Sequence, residues 1–216
     1  MQTPAPSGAD QDRIDTAMMQ RCIQLASASV GAGEFPFAAV IARGETVICE
    51  SINRAKGGHD VNSHAEAVAI AMAQRQLGAD LSGLTLYASV EPCALCAYAA
   101  REARIGRVVY GLRSPLMGGH SRWNILGDDR LSQAMPDVFT PAPAIRAGLL
   151  QDDVAAVFRR WNPVIWQIIK ARGIFVPGPP RDEAAGRLTG IAARLLAGMR
   201  TLVIDRIGRT EHRIDG

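Results

Sequence analysis

The sequence predicts an α/β fold: a mixed central sheet between two layers of helices. Three observations carry this expectation. The short apolar runs "FAAVIAR" and "TVICES" flank a glycine-containing turn at Arg43–Gly44–Glu45 and read as an antiparallel hairpin. Helical and buried-strand patterns then alternate, which implies parallel pairing through right-handed crossovers. With 48% apolar and 21% charged residues, the composition is that of a chain that buries a core. Together they give a three-layer αβα sandwich, the hairpin first and parallel strands after it. At 216 residues, one main domain is expected.

Each element follows from local pattern. Ile14, Met18, Cys22 and Leu25 recur at helical spacing behind Asp10 and Asp12, predicting an amphipathic helix over 12–29. "VGAGEFPF" breaks it before the hairpin. A polar loop, "NRAKGGHDVN", leads to a helix from Ser63 to about Leu77, where Ser63 and Glu66 fit a capping box. "LTLYASV" is a buried strand, and Pro92 is placed at the first position of the next helix. "RVVYGL" is a further strand. Beyond residue 113 the pattern weakens, and "SPLMGGHSRWNILGDD" and "MPDVFTPAPA" read as long loops. Helix resumes over 151–172, interrupted at Asn162–Pro163 and ended by Gly173. The expected organisation is a flexible N-terminus over 1–11, a domain over 12–176, and a linker with a helical or disordered extension over 177–216.

Composition also limits function. The net charge of +3 is too small to imply a nucleic-acid partner without clustering. A local cluster exists in Arg101, Arg104, Arg107, Arg113 and Arg122, although such runs are commonly solvated faces. "MQTPAPSGAD" lacks a basic start followed by an apolar stretch, so a secretory signal is not expected and the cytoplasm is. No apolar run reaches the roughly 18 residues of a membrane span. Four cysteines are too few for a disulfide scaffold. Cys22 and Cys49 read as core residues, whereas Cys93 and Cys96 form a C-x-x-C that points to metal or redox chemistry.

Chemistry concentrates in "SHAEAVAIAMAQ" and "EPCALC". Cys93 and Cys96, three apart, share a helical face near a helix N-terminus, where the dipole favours thiolates. His64 stands at the matching end of the preceding helix. Strand–helix alternation brings both ends to one sheet edge. His64, Cys93 and Cys96 supply three zinc ligands; structural sites use four, whereas catalytic sites leave a position for water. Glu66, two residues from His64, is off its helical face and free to act as proton carrier beside that position. The expectation is that Glu66 faces the metal and Ser63 caps the helix alone. His59 reads as a loop histidine. His120 and Trp123, in "GGHSRWN", serve either as loop anchors or as a base-stacking lid.

His64–Ala65–Glu66 followed by Pro92–Cys93–Ala94–Leu95–Cys96 is the H-x-E…P-C-x-x-C pattern of zinc nucleobase deaminases. The chain resembles the cytidine-deaminase-like superfamily, within it the branch of guanine deaminases and bacterial tRNA adenosine deaminases. The likeness extends to "GEFPFAAVI", "ICESINRAKGGHDVNSHAE" and "RIGRVVYG" and covers roughly 12–126. It implies zinc-dependent hydrolytic deamination with Glu66 shuttling protons, Asn53 contacting base or sugar, and a backbone N–H of Ala65 meeting substrate. Phe35, Pro36 and Phe37 would line the pocket beneath the base. A glycine of the family is Ala38 here, which either narrows the pocket or reflects different packing. The expected substrate is a small aminated heterocycle, guanine or a related nucleobase or nucleoside. The alternatives are adenosine in a tRNA loop and a non-catalytic zinc-stabilised binding domain. A homodimer is implied by the resemblance alone.

Overall fold

The computed structural model describes residues 7–178. A first helix α1 (Gly8–Gly31) precedes the hairpin β1 (Ala38–Arg43) and β2 (Thr46–Ile52). A short α2 (Ala55–Gly58) and then α3 (Ala65–Leu77), β3 (Thr85–Val90), α4 (Ala94–Glu102) and β4 (Arg107–Leu112) follow. The remainder contains α5 (Asp129–Ala134), β5 (Ala144–Ala147), α6 (Gln151–Trp161) and α7 (Pro163–Ala171). The sheet order is β2-β1-β3-β4-β5. β1 pairs antiparallel with β2 and β3, and β3–β4 and β4–β5 are parallel. This is the mixed sheet expected from the sequence.

Strand alternation sorts the core into two faces. Ala39, Ile41, Leu86, Ala88, Val108 and Tyr110 pack against α3 and α4, whose contributions include Ala69, Ala73, Ala97 and Ala100. These alanines let two helices lie close on the sheet. Ala38, Val40, Ala42, Tyr87 and Val109 face Ile14, Met18, Met19 and Cys22 of α1. A third cluster joins Val90 and Leu112 to Phe158, Trp166 and Phe175. Cys22 and Cys49 are buried in core clusters, as expected. Among the described residues no helix is long and apolar enough to cross a membrane.

Several boundaries differ from the sequence expectation. Ser7 accepts from the Asp10 N–H and starts α1 at Gly8, so residues 8–11 belong to the helix rather than to a flexible terminus. Ser63 does not cap α3: its hydroxyl is diverted to the Asp60 carboxylate at 2.7 Å, and His64 occupies the N-cap. Pro92 precedes α4, whose N-cap is Cys93. Between the two runs read as long loops lies α5, and the second runs directly into β5; both are short elements that the sequence pattern did not announce. Asn162 accepts from the N–H groups of Val164 and Ile165, restarting the chain as α7 with proline at its start. Gly173, at φ 63°, ends this region as expected. Of the 177–216 extension, all but the first two residues lie outside the described residues.

Three arginines of the cluster, Arg101, Arg104 and Arg107, turn inward, whereas Arg122 is exposed. Arg101 is 2% exposed and donates to the carbonyls of Ile125, Leu126 and Asp128 and to the Ser132 hydroxyl. Arg104 donates to the Asp137 carbonyl at 2.7 Å. Arg107 and Arg146 converge on Asp15, whose side chain is fully buried and also accepts from Gln11 and Tyr87. This carboxylate ties α1 to β3, β4 and β5. Burial alone raises the Asp15 carboxyl, but the hydrogen bonds of Arg107, Arg146, Gln11 and Tyr87 outweigh it and bring it down to about 2. A carboxylate depressed on folding stabilises the native state above its unfolded value. That contribution, about 2 kcal/mol, is lost as the pH falls from near 4 towards 2. Urea unfolding across this range should show the loss in wild type. Asp15→Ala should lack this component and cost about 3 kcal/mol at pH 7, because Arg107 loses its carboxylate and Arg146 keeps only that of Asp12.

Candidate metal centre

Two helix N-termini meet at one sheet edge. Because β2 and β3 point the same way on either side of β1, the helices that follow them, α3 and α4, both begin at the carboxyl ends of strands. Their N-cap residues are His64 and Cys93, neither of which makes a side-chain capping bond. Cys96 is three residues past Cys93 and returns to the same side. His64 Nδ1 lies 3.4 Å from Cys93 Sγ and 3.5 Å from Cys96 Sγ, and the sulfurs are 3.7 Å apart. Zinc bonds of about 2.3 Å to sulfur and about 2.0 Å to nitrogen give tetrahedral edges of about 3.8 Å and about 3.6 Å. The three donors therefore fit a zinc ion at three corners of a tetrahedron, and all come from residues at helix N-termini.

Electrostatics at this corner follow from crowding. Cys93 is brought down to about 4 by its hydrogen bond with Cys96 and by His64, against burial, which raises it. Cys96 is pushed up, first by the same bond and then by burial. A dication held by both sulfurs would favour the thiolate form of each. Glu66, the second residue of α3, is 9% exposed, with Oε2 3.6 Å from Cys96 Sγ. Burial pushes its carboxyl up to about 7, and nearby Cys93 adds to the effect.

The cluster lies in the wall of a cavity of about 490 Å³. Phe35, Phe37, Asn53, His64, Glu66 and Cys93 line it, and so do residues that the sequence did not single out: Lys56, Val90, Glu91, Ser114, Met117 and Phe175. Phe175 arrives from beyond α7. A two-bond bridge between Arg113 and Val176 straps that segment to the end of β4, and Phe175 meets Phe37 edge-on at 5.6 Å. Only tertiary structure brings these two rings together. Ala38 faces α1 in the opposite core layer, so its methyl group takes up packing space there and leaves the cavity unchanged.

Glu91 organises the loop after β4. Its carboxylate accepts from the N–H groups of Ser114, His120 and Ser121 and from the Ser121 hydroxyl, at 2.6–3.0 Å. Gly118 pairs with Cys93, and a Cβ at Gly118 would run into Glu91. The available signal was an acidic residue ending a buried strand directly before the proline. His120 and Trp123 lie on this loop and are not in the cavity lining. His120 Nδ1 meets the Tyr110 hydroxyl at 2.8 Å, and Trp123 is 55% exposed with the Arg122 guanidinium over its ring. Ala65 is fully buried in the core layer at the first position of α3 and also lies outside the lining.

Residues 12–112 match the family model of the cytidine and deoxycytidylate deaminase zinc-binding region. The chain is 34% identical over 129 residues to a tRNA-specific adenosine deaminase of Agrobacterium fabrum, covering 59% of this chain and 80% of that protein. It is 35% identical over 154 residues, 70% of its length, to a tRNA(Ile)-lysidine synthase of Deinococcus deserti, but spans only 27% of that longer protein. Among solved structures, one from a study of tRNA:A34 deaminases superposes with a TM-score of 0.57 at 33% identity, covering 66% of this chain and 99% of the other. Guanine deaminase from Nitrosomonas europaea shares the fold, with a TM-score of 0.57 at 23% identity over 76% of this chain and 96% of its own. Metal analysis of purified protein should give one zinc per chain, and His64→Ala or Cys96→Ser should reduce this below a tenth at equal chelator concentration. By its matched motif region and the donor geometry built on it, this chain belongs to the cytidine and deoxycytidylate deaminase zinc-binding family.

Proposed function

We propose that this chain is a cytoplasmic hydrolase that replaces the exocyclic amine of a small aminated heterocycle, guanine or a related nucleobase or nucleoside, with oxygen and releases ammonia. The observation that carries this reading is the position of Glu66: a buried carboxylate beside a three-donor metal set, facing an aromatic cavity. A structural zinc site has no use for that carboxylate, which counts against a non-catalytic binding domain.

Bound zinc supplies a Lewis acid that lets water ionise near neutral pH. Glu66 accepts the proton of the attacking water and passes it to the departing nitrogen. The water oxygen adds to the ring carbon, the adjacent ring nitrogen takes the other water proton through the same carboxylate, and the carbon–nitrogen bond breaks so that ammonia leaves as the carbonyl forms. Phe35, Phe37 and Phe175 present flat apolar surface to a planar ring, and Asn53 offers polar contact at the cavity wall. The Glu91-held loop supplies Ser114 and Met117 to the same wall. His120 and Trp123 join this reading as contacts only if that loop shifts on binding, and Ala65 would contribute through its backbone.

Adenosine in a tRNA loop is the second reading, favoured by the tRNA-deaminase relatives. Against it, Arg101, Arg104 and Arg107 are spent on internal carbonyls and carboxylates rather than offered to phosphates. A homodimer in which a neighbouring subunit completes the cavity belongs to the same proposal, and light scattering during gel filtration tests it.

Ammonia release should be measured from guanine, adenine, cytosine, their nucleosides and an anticodon stem-loop. Turnover of a free base or nucleoside is expected, and turnover of the stem-loop alone would transfer the assignment to tRNA. No turnover by zinc-loaded protein would favour a binding domain. Glu66→Gln should keep its zinc and lose at least about a hundredfold in kcat; unchanged kcat would remove Glu66 from the mechanism.

A further inference from the structure

We infer that Glu34 is the positioning residue that fixes which way the Asn53 amide faces and thereby sets where the cavity presents the acceptor Oδ1 of that residue. The inference rests on the deaminase reading for its substrate and on the fold for its geometry. Asn53 follows β2, is 3% exposed, and is pinned through its backbone N–H to the Phe37 carbonyl at 3.0 Å. Its Nδ2 donates to Glu34 Oε2 at 3.1 Å. Glu34 follows Gly33, which holds φ at 78°, and is itself 6% exposed.

Glu34 is outside the cavity lining, so it acts through its neighbour. Its Oε1 accepts the Gly57 N–H at 2.7 Å, an approach that depends on glycine because a Cβ there would meet the same oxygen at 2.8 Å. Among the described residues no cation pairs with the carboxylate; Lys56 Nζ goes instead to the Gly33 carbonyl at 3.3 Å. Glu34 is thus a buried acceptor whose two mapped partners are an amide N–H and the Asn53 side chain.

A carboxylate accepts hydrogen bonds and does not donate them, whereas an asparagine amide carries donors at one end and an acceptor at the other. Facing Glu34, the amide must present its nitrogen, because the reverse orientation would set two acceptors against each other in a buried place. Asn53 Oδ1 then points away from Glu34 and accepts no hydrogen bond among the described residues. A substrate reaching Asn53 therefore meets an acceptor at a fixed place, Oδ1, complementary to a ring or exocyclic N–H, while the second Nδ2 hydrogen stays available to donate. This assigns Asn53 a defined polarity and gives the buried Glu34 two N–H donors in place of a cation.

Glu34→Gln is nearly isosteric but can donate, so it allows both amide orientations. On the substrate of the panel that turns over fastest, Glu34→Gln should raise KM roughly tenfold and leave kcat within about twofold. In an Asn53→Ala background the same change should move KM less than about twofold, because the group it orients is gone. A purely structural role for Glu34 would persist in both backgrounds and would overturn the inference. Side-chain amide NMR of the zinc-loaded wild type supplies a readout independent of turnover. The Asn53 resonance, assigned by its loss in Asn53→Ala, should exchange slowly, and in Glu34→Gln it should shift or split. An Asn53 amide indifferent to Glu34 overturns the inference even if KM changes. If wild type deaminates nothing in the panel, the deaminase reading fails, while the NMR result still decides whether Glu34 orients Asn53.

Discussion

The metal centre depends on two helices giving up their N-terminal caps. A helix start leaves N–H groups without intrahelical partners, and a Ser, Thr, Asp or Asn cap is worth about 1 kcal/mol. At α3 and α4 the cap positions hold His64 and Cys93, and neither side chain bonds back to its own helix. The same geometry that carries a cap side chain towards the third helical residue brings Cys93 and Cys96 within 3.7 Å. The forgone capping energy is offset by ligation, since a helix N-terminus favours thiolate over thiol. Everything else in the site is arranged around these two uncapped ends.

Much of this was legible in the sequence because it is local. The spacings from His64 to Glu66 and from Cys93 to Cys96 are set by helical periodicity, and strand–helix alternation fixes which ends meet. The hairpin turn at Gly44, the strand at "RVVYGL" and the break at Asn162 all rest on neighbouring residues. The cap assignments failed for an equally local reason: Ser63 had a rival partner in Asp60, three residues back, to which its hydroxyl donates. Pattern reading cannot rank a helix N–H that the serine oxygen would accept from against a carboxylate that its hydroxyl donates to. The expectation that Glu66 does not join a capping box with Ser63 agrees with the structure, although Ser63 itself is not the cap.

What was not legible lies in contacts between distant segments. The inward arginines illustrate this: as a string, Arg101 to Arg122 looks like a solvated or phosphate-binding face, but Arg101 holds the carbonyls of a loop that sequence alone left unstructured. An arginine can serve a surface or a backbone, and only the fold says which. Phe175 carries no local mark of function either. It reaches the cavity because the chain beyond α7 pairs with Arg113. Glu91 and Glu34 are likewise buried carboxylates, bonded to backbone N–H groups and to the Ser121 hydroxyl or the Asn53 amide, a use of acid side chains that leaves no sequence spacing to detect.

These distant contacts bear on how chemistry and substrate choice are divided. The donors and Glu66 come from two adjacent βα units, so the motif can specify hydrolysis at an amine-bearing carbon. The cavity's far wall is built elsewhere, by the Glu91-held loop and the Phe175 strap, and its polar corner by Glu34 acting on Asn53. A buried acid that bonds backbone N–H groups fixes a loop more rigidly than surface contacts do, because leaving either partner unpaired is costly. Rigid walls of this kind discriminate by refusing misfitting edges rather than by closing on the right one. On the deaminase reading, substrate choice in this chain is therefore set chiefly outside the metal-binding motif, by the walls that the Glu91-held loop, the Phe175 strap and Asn53 build.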